Sequence, residues 1–191
     1  MTTADTPQDL TGKLLIAMPG MGDPRFSHSV VYLCAHSDEG AMGLIVNKRV
    51  PEIALDDLLS QLDIATGAGS HHHAVHFGGP VEGARGFVLH SGDAADYPGT
   101  LRVDEAFAMT ATRDILEDIA KGNGPSAALT ALGYAGWGPG QLESELRQNA
   151  WLTATADSAI VFDPDDKAKW ARALAALGID PLLLSAEGGT A

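Results

Sequence analysis

Polar side chains that could carry out acid–base or binding chemistry recur where apolar runs of this chain end beside glycine-rich turns. The set consists of Asp23, Arg25, Ser29, His36, Asn47, His90, Trp137 and Glu145. Imidazoles titrate near neutral pH, and carboxylates can act with them as acids or bases. Loops at strand ends are also where a scaffold commonly presents functional groups. If these strand ends converge, the residues form one polar pocket with Trp137 as its roof.

Each of these residues also has a purely structural interpretation. Asp23 precedes a proline and suits a turn, and Arg25 can pair with it on an acidic surface. His36 and His90 can satisfy backbone carbonyls beside turns, and Asn47 can brace one. The sequence leaves both interpretations open.

The stretch GYAGWGPGQLESELRQNAW, residues 133–151, is the most distinctive of the chain. Its crowded glycines indicate positive φ angles or a close approach of the backbone to another group. Trp137 has few local neighbours and must pack on a distant element or face a cavity. Glu143 and Glu145 fall in the first turns of a predicted helix, where they complement its dipole and oppose anion binding.

Several specific chemistries are not supported. Gly78-Gly79-Pro80 lacks the lysine and helix of a phosphate-binding loop, and the glycines around Trp137 do not match the dinucleotide-binding spacing. We therefore expect no cofactor. The run His71–His73, with His76 nearby, resembles a metal-ligand cluster, but a triple-histidine loop lacks fixed geometry, and we expect no physiological metal site. Cys34 lies in an apolar run and is predicted to be a buried hydrophobe.

Composition narrows the class of protein further. The 191 residues are 45% hydrophobic and carry a formal net charge of −13, with scattered lysines and arginines. A nucleic-acid binder relies on clustered cations, so direct DNA binding is not expected. The polar, acidic N-terminus lacks the pattern of a signal peptide, and no apolar run approaches the ~18 residues of a membrane span. We expect a cytoplasmic protein with a small-molecule or protein partner. The oligomeric state is left open.

The elements that must position these residues follow from hydrophobic periodicity. Short apolar runs predict strands over 13–18, 29–36, 42–47, 74–77, 85–90, 151–155 and 159–162, and a weaker one within 101–110. Leucines at helical spacing predict a helix from Leu55 to Leu62, and further helices are predicted after Thr112, Gln141 and Asp163. Residues 126–135 are compatible with helix or strand. Strands and helices do not alternate regularly, which favours the α+β class.

The runs GKLLIAMPGMGDPRFSHSVVYL, GAMGLIVN, FGGPV, GFVLHS, GYAGWGPGQLESE and NAWL together resemble the YqgE/AlgH family of bacterial proteins, over roughly residues 12–178. The resemblance implies a single cytosolic domain whose mixed β-sheet curls toward a pseudo-barrel with helices packed outside. Members are often labelled transcriptional regulators or uncharacterised proteins, and no catalytic residues transfer. We expect the domain over residues 12–185, between an N-terminal tail, 1–11, and a C-terminal tail, 186–191.

Three functions stay open at this point. The leading hypothesis is a non-enzymatic module that binds a small molecule or a protein and has an indirect regulatory role. The alternative is a hydrolase that uses Asp23, His36, His90 and Glu145 for acid–base chemistry. The second alternative, a DNA-binding regulator, is opposed by the net charge. Whether the protein is an enzyme is therefore not decided by the sequence.

Overall fold

Ten strands and five helices build the structure, a computed structural model that describes residues 8–71, 73–94 and 96–184. The strands are β1 Lys13–Ala17, β2 Val30–Ser37, β3 Gly40–Ile45, β4 Arg49–Ala54, β5 Ala74–Phe77, β6 Val81–Ser91, β7 Leu101–Arg102, β8 Phe107–Thr110, β9 Ala128–Trp137 and β10 Trp151–Thr155. The helices are α1 Leu55–Gln61, α2 Arg113–Lys121, α3 Gln141–Arg147, α4 Ser158–Val161 and α5 Lys169–Ala176. Short 3-10 turns cover Pro24–Phe26, Asp166–Ala168 and Pro181–Leu184.

The strands form one mixed sheet in the order β10-β1-β2-β3-β9-β6-β8-β7. β5 joins it by pairing in parallel with β9, and β4 pairs with β5. The other pairings are antiparallel, and the sheet curls into a half-barrel with the helices around it. This confirms the predicted α+β class and the curled, mixed sheet of a single domain.

β9 is the central strand of the sheet. Its first half lies between β5 and β6, and its second half pairs with β3. The backbone of the Gly78-Gly79 turn approaches β9 closely at Gly133. This residue has a φ of +72°, and an added Cβ would lie 2.3 Å from the carbonyl oxygen of Gly79. Gly79 in turn approaches the backbone of Tyr134, so a Cβ there would lie 2.0 Å from the carbonyl carbon of that residue. The FGGP turn is therefore packed closely against β9.

Hydrophobic side chains cover both faces of the sheet, as β1 illustrates. Leu14 and Ile16 belong to one core cluster, which α5 covers through Leu174. Leu15 belongs to the opposite cluster, which includes Leu142 of α3. Alternation with a period of two places successive residues on opposite faces, and a strand buried on both faces therefore reads as a continuous apolar run.

Cys34 is buried in the first of these clusters with 1% of its surface exposed. Burial raises the pKa of its thiol to about 12, because the thiolate would lose its hydration. This confirms the prediction of a buried hydrophobe. Across the described residues, no helix has the length and apolar character that a membrane crossing requires.

Three segments differ from the prediction or settle an ambiguity. The strand predicted over 159–162 is wrong, because Asp157 caps a short helix there by accepting a hydrogen bond from the backbone of Ala159. The ambiguous segment 126–135 contributes most of β9. β4 was not predicted, since the sequence RVPEIA does not alternate and contains a proline. The last helix begins at Lys169 rather than directly after Asp163, with a 3-10 turn between them.

Candidate functional site

The eight residues of the predicted pocket do not line one cleft. Ser29 precedes β2 and His36 lies near its end, and this strand is eight residues long. At about 3.3 Å per residue, the two ends of β2 are more than about 20 Å apart. The eight residues do not form a single pocket because some of them lie at one end of β2 and others at its opposite end. Whether any one of these residues contacts a ligand stays a prediction.

Asp23 and Arg25 pair with each other at an exposed turn. The Asp23 carboxylate accepts the backbone N–H of Arg25 at 3.0 Å, which caps the 3-10 turn Pro24–Phe26. The guanidinium also donates to this carboxylate, with a shortest contact of 2.7 Å. These hydrogen bonds lower the pKa of Asp23. The pair adopts the structural arrangement that the sequence left open.

Ser29 and Asn47 hold the end of the same loop. The Ser29 hydroxyl donates to the carbonyl of Phe26 at 2.7 Å. The Asn47 side chain accepts the N–H of Val30 at 2.9 Å and donates to the carbonyl of His28 at 2.8 Å. His28 has a φ of +56°, which is uncommon for a residue other than glycine. Asn47 thus holds the backbone that directly follows the strained position.

Two side-chain hydrogen bonds hold α3 against the sheet, one from His36 and one from Trp137. His36 Nδ1 accepts the backbone N–H of Leu10 at 3.0 Å, so its Nε2 carries the proton that it donates to Glu143 at 2.6 Å. The Trp137 indole donates to Glu145 at 2.5 Å. The His36 hydrogen bond lowers the pKa of Glu143. We call these two contacts the α3 clamp.

The α3 clamp changes the interpretation of the glycine-rich signature. Both glutamates contact the sheet, and Glu143, which lies in the first turn of α3, also complements the helix dipole. Trp137 is buried, with its ring edge-to-face against Trp151 at 6.0 Å between centroids. His36 and Trp137 also border a shallow cleft of about 570 Å³ between β2, β3 and β9. They are the two predicted residues that the structure brings to one cleft.

His90 is buried elsewhere, at the end of β6. Its Nδ1 lies 2.9 Å from the carbonyl of Ser91 and must donate to it, so Nε2 accepts from the Thr110 hydroxyl at 2.8 Å. The hydroxyls of Thr100 and Thr110 lie 2.7 Å apart, so Thr100 donates to Thr110. Burial lowers the pKa of His90. The ring is held neutral, with both nitrogens occupied.

A buried charged cluster that sequence reasoning missed lies between the sheet and α5. Asp166 accepts from His76 Nε2 at 3.0 Å, from Lys169 Nζ at 2.8 Å and from Arg49 Nε at 3.2 Å. Lys169 also donates to the carbonyl of Val46 at 2.7 Å, and only 1% of its surface is exposed. We call Arg49, His76, Asp166 and Lys169 the Asp166 cluster. It borders a cavity of about 160 Å³.

Burial and hydrogen bonding oppose each other within the Asp166 cluster. Burial alone would raise the pKa of Asp166, but the hydrogen bonds from His76 and Lys169 outweigh it and hold the pKa at about 2. For Lys169, burial lowers the pKa and the hydrogen bond to Asp166 only partly offsets this. Charged groups are therefore kept in a buried setting. This is found both in functional sites and in purely structural ion networks.

One sequence signal could have pointed to this cluster. Lys169, Ala173 and Leu174 share the buried face of α5, at the i, i+4 and i+5 positions of a helix. A lysine on the apolar face of a helix requires a buried partner. That partner, Asp166, lies only three residues earlier in the chain, whereas Arg49 and His76, which complete the cluster, are distant in sequence and have no local signature.

A further concavity joins the first loop to the segment that follows α3. It measures about 750 Å³, and we call it the loop cavity. The described residues that line it carry no ionisable side chain; they are Met18, Pro19, Gly20, Met21, Gly22, Gln148, Asn149, Ala150, Leu183 and Leu184. A backbone hydrogen bond of 2.9 Å from Met18 to Ala150 holds its two walls together. Sequence reasoning missed this site because backbone and amide groups carry no motif.

The histidine run offers no metal centre within the part of the chain that the structure describes. His71 Nδ1 lies 2.8 Å from the Asp56 carboxylate. His72 lies outside the described residues. Over residues 8–71, 73–94 and 96–184, no group of three or more His, Cys, Asp or Glu is arranged to hold a metal ion.

The curled mixed sheet with its outer helices, and the α3 clamp built on the glycine-rich signature, define a class of single-domain α+β proteins. A family model described as AlgH-like, DUF179, matches residues 14–182. The chain belongs to this family.

Relatives and solved structures agree with this assignment. A UPF0301 protein of Ruegeria pomeroyi is 60% identical over 96% of this chain and all of its own length. One from Paracoccus denitrificans is 55% identical over 98% of this chain and all of its own length. The solution structure of the AlgH protein from Pseudomonas aeruginosa has a TM-score of 0.79 and 45% identity, covering 97% of this chain and 98% of that one. A Corynebacterium diphtheriae protein, 23% identical with a TM-score of 0.74 over 94% and 93% of the chains, shares the fold.

Proposed function

We propose that the protein is a non-enzymatic module that binds an uncharged small molecule in the loop cavity. The indirect regulatory role and the cytoplasmic setting expected from the sequence are part of this proposal. The observation that carries it is a pair of glycines, Gly20 and Gly22, that line the cavity although the fold does not require glycine there.

Neither glycine is explained by backbone shape or by packing. Neither has a positive φ, and a Cβ built on either would meet no atom within 4 Å. Glycine loses more conformational entropy on folding than alanine, so its use without a structural need is a net loss of stability. Close approach of a ligand to the backbone is one physical reason for glycine at both positions, because these two glycines line a cavity and the equally open Gly83 does not.

The lining of the loop cavity suits a ligand of mixed polarity. The methionines Met18 and Met21 are flexible and polarisable, so they can adapt to an apolar group. The exposed Asn149 amide supplies donors and an acceptor beside them. A volume of about 750 Å³ lies within the usual range for small-molecule sites. On a protein with a net charge of −13, the uncharged side chains that the described residues place along the cavity favour an uncharged ligand.

The contacts of the predicted histidines favour binding over the hydrolase alternative. Both ring nitrogens of His36 and both of His90 are engaged by protein groups. A general base needs a free nitrogen within hydrogen-bond reach of the proton that it removes. Hydrolysis would require these hydrogen bonds to break first.

A fragment titration followed by NMR tests the proposal. Nitrogen-15-labelled protein is titrated with a panel of uncharged, amide- and hydroxyl-bearing fragments, and the amide signals of Gly20, Gly22 and the Asn149 side chain are followed. We expect saturable shifts that centre on these groups. A double variant, Gly20→Ala with Gly22→Ala, should weaken binding at least about tenfold while its stability stays equal or rises by about 0.4–1 kcal/mol per site.

Gly83→Ala is the matched control. Gly83 also has open space around its Cβ position and no positive φ, but it does not line the loop cavity. Its replacement should leave fragment binding unchanged. Fragments that shift signals only on other surfaces, or that bind the double variant as tightly as the unmodified protein, would refute the proposal.

A further inference from the structure

The Asp166 cluster carries more positive than negative charge. Arg49 and Lys169 are both cationic and share the single carboxylate of Asp166. Even with a neutral His76, one positive charge is left over. Asp163 borders the same cavity, but its carboxylate pairs with Arg172 and is neutralised by it. The protein has an excess of carboxylates, with a net charge of −13, yet none of them neutralises this cation within the cluster.

Hydrogen-bond donors remain available within the cluster. A lysine ammonium group has three N–H donors, and Lys169 uses two, to Asp166 and to the carbonyl of Val46. Among the residues that the structure describes, no acceptor engages the third. Arg49 uses Nε for Asp166 and Nη2 for the carbonyl of Pro164, and about half of its side chain is exposed. Within residues 8–71, 73–94 and 96–184, no acceptor engages its Nη1.

The cavity beside these donors has the size for a small ligand. Its volume of about 160 Å³ is roughly five times the ~30 Å³ that a water molecule occupies in the liquid. We propose that this cavity binds a small oxyanion, a phosphate or a carboxylate, between the free N–H groups of Lys169 and Arg49. The bound anion would neutralise the surplus charge and accept from donors that the fold leaves unused. This site is separate from the loop cavity, and the two proposals stand independently.

The geometry favours an oxyanion over a metal cation. Arginine matches the planar or tetrahedral oxygens of carboxylate and phosphate with a fork of donors, and a buried lysine adds a point charge. The carboxylates of Asp163 and Asp166 are already occupied by Arg172, His76, Lys169 and Arg49. A cation would have to displace these partners.

Calorimetric titration of the full chain tests the site at constant ionic strength and neutral pH. Inorganic phosphate is the probe in one arm and acetate in the other, against a chloride background. We expect one saturable site for at least one of the anions. Arg49→Gln should weaken that binding by about tenfold, the effect of losing one charge-assisted hydrogen bond. The arm that responds identifies phosphate or carboxylate chemistry.

Arg113→Gln is the matched control, since Arg113 is as exposed as Arg49 and pairs with Glu117 on α2, away from the cavity. It should leave anion affinity within about twofold of the unmodified protein, a change too small for the loss of a hydrogen bond. Arg49→Lys keeps the charge and should retain more affinity than Arg49→Gln, which covers the case in which the glutamine variant folds poorly. Equal weakening by Arg49→Gln and Arg113→Gln, or no saturable binding of either anion, would overturn the proposal.

Discussion

Asp166 is a single buried carboxylate that contacts two cations and a histidine, so its removal affects more charged partners than that of any other carboxylate of the Asp166 cluster or the α3 clamp. Asp166→Asn would leave Lys169 buried without a counter-charge. Breaking a buried ion pair by removal of one partner typically costs about 3–5 kcal/mol. We expect urea unfolding, followed by tryptophan fluorescence, to show a loss of this size. Asp165→Asn, an adjacent exposed site with the same change in charge, should lose less than about 0.5 kcal/mol.

The same carboxylate should dominate the response to acid. Its pKa in the folded protein is about 2, below its ordinary value of 3.8. A carboxyl group with a lowered folded pKa stabilises the protein above its unfolded pKa, and this stabilisation disappears as the pH falls from about 4 to about 2. The shift corresponds to about 2 kcal/mol. Asp166→Asn should lack this part of the acid-induced loss; an identical pH profile for both proteins would contradict the assignment.

At the residue scale, local pairs were predictable and distant ones were not. The Asp23–Arg25 pair follows from spacing and turn chemistry, and the structure adopts it. The contacts of His36 and Trp137 with α3 were not foreseen, because a glutamate in a first helical turn already has a sufficient local role. The Asp166–Lys169 pair is local, three residues apart, but the contacts of Arg49 and His76 with Asp166 were missed because the fold alone brings these distant residues to it.

At the element scale, the α3 clamp determines how firmly α3 is held against the sheet. α3 spans seven residues, a length at which an isolated helix is unstable in water. Glu145→Ala leaves the buried Trp137 indole N–H without its acceptor, which costs about 1–3 kcal/mol. We expect amide hydrogen exchange in α3 to accelerate by one to two orders of magnitude, in proportion to that loss. Glu145→Gln retains an acceptor oxygen, so its α3 amides should exchange at a rate between those of the unmodified protein and Glu145→Ala. No acceleration in Glu145→Ala would argue against the α3 clamp.

Elements with a long periodic pattern were predicted well, and short ones were not. The leucine spacing of α1 and the periodic segment of α2, which ends at Gly122 in the left-handed conformation, specify helices on their own, although the Thr112 side chain makes no capping hydrogen bond. α4 has four residues, and two of them are β-branched, so propensity favours a strand while the Asp157 cap and the packing decide for a helix. β9 was ambiguous because its small residues suit either structure. Its position between β5, β6 and β3 settles the matter, and no local pattern encodes that position.

At the scale of the whole molecule, the net charge of −13 disfavours binding to polyanions such as DNA. We expect no measurable binding to a fluorescently labelled DNA duplex in anisotropy titrations, even near 50 mM salt, where phosphate contacts are strongest. The surplus charge of the Asp166 cluster does not alter this, because it is a single charge at one site and not a row of cations along a surface. Tight binding that weakens steeply with added salt would instead support the DNA-binding alternative.

The pairing of β1 with β10 joins residues 13–17 to residues 151–155, so an early strand receives its outer neighbour from near the other end of the chain. At translation rates of about 5–20 residues per second, β1 leaves the ribosome on the order of ten seconds before β10 exists. During that interval the outer edge of β1 presents unpaired backbone groups beside a strand that is buried on both faces in the finished protein. The nascent chain therefore exposes an apolar strand edge that β10 covers in the folded protein. A second nascent chain or a chaperone can bind this edge before β10 is synthesised.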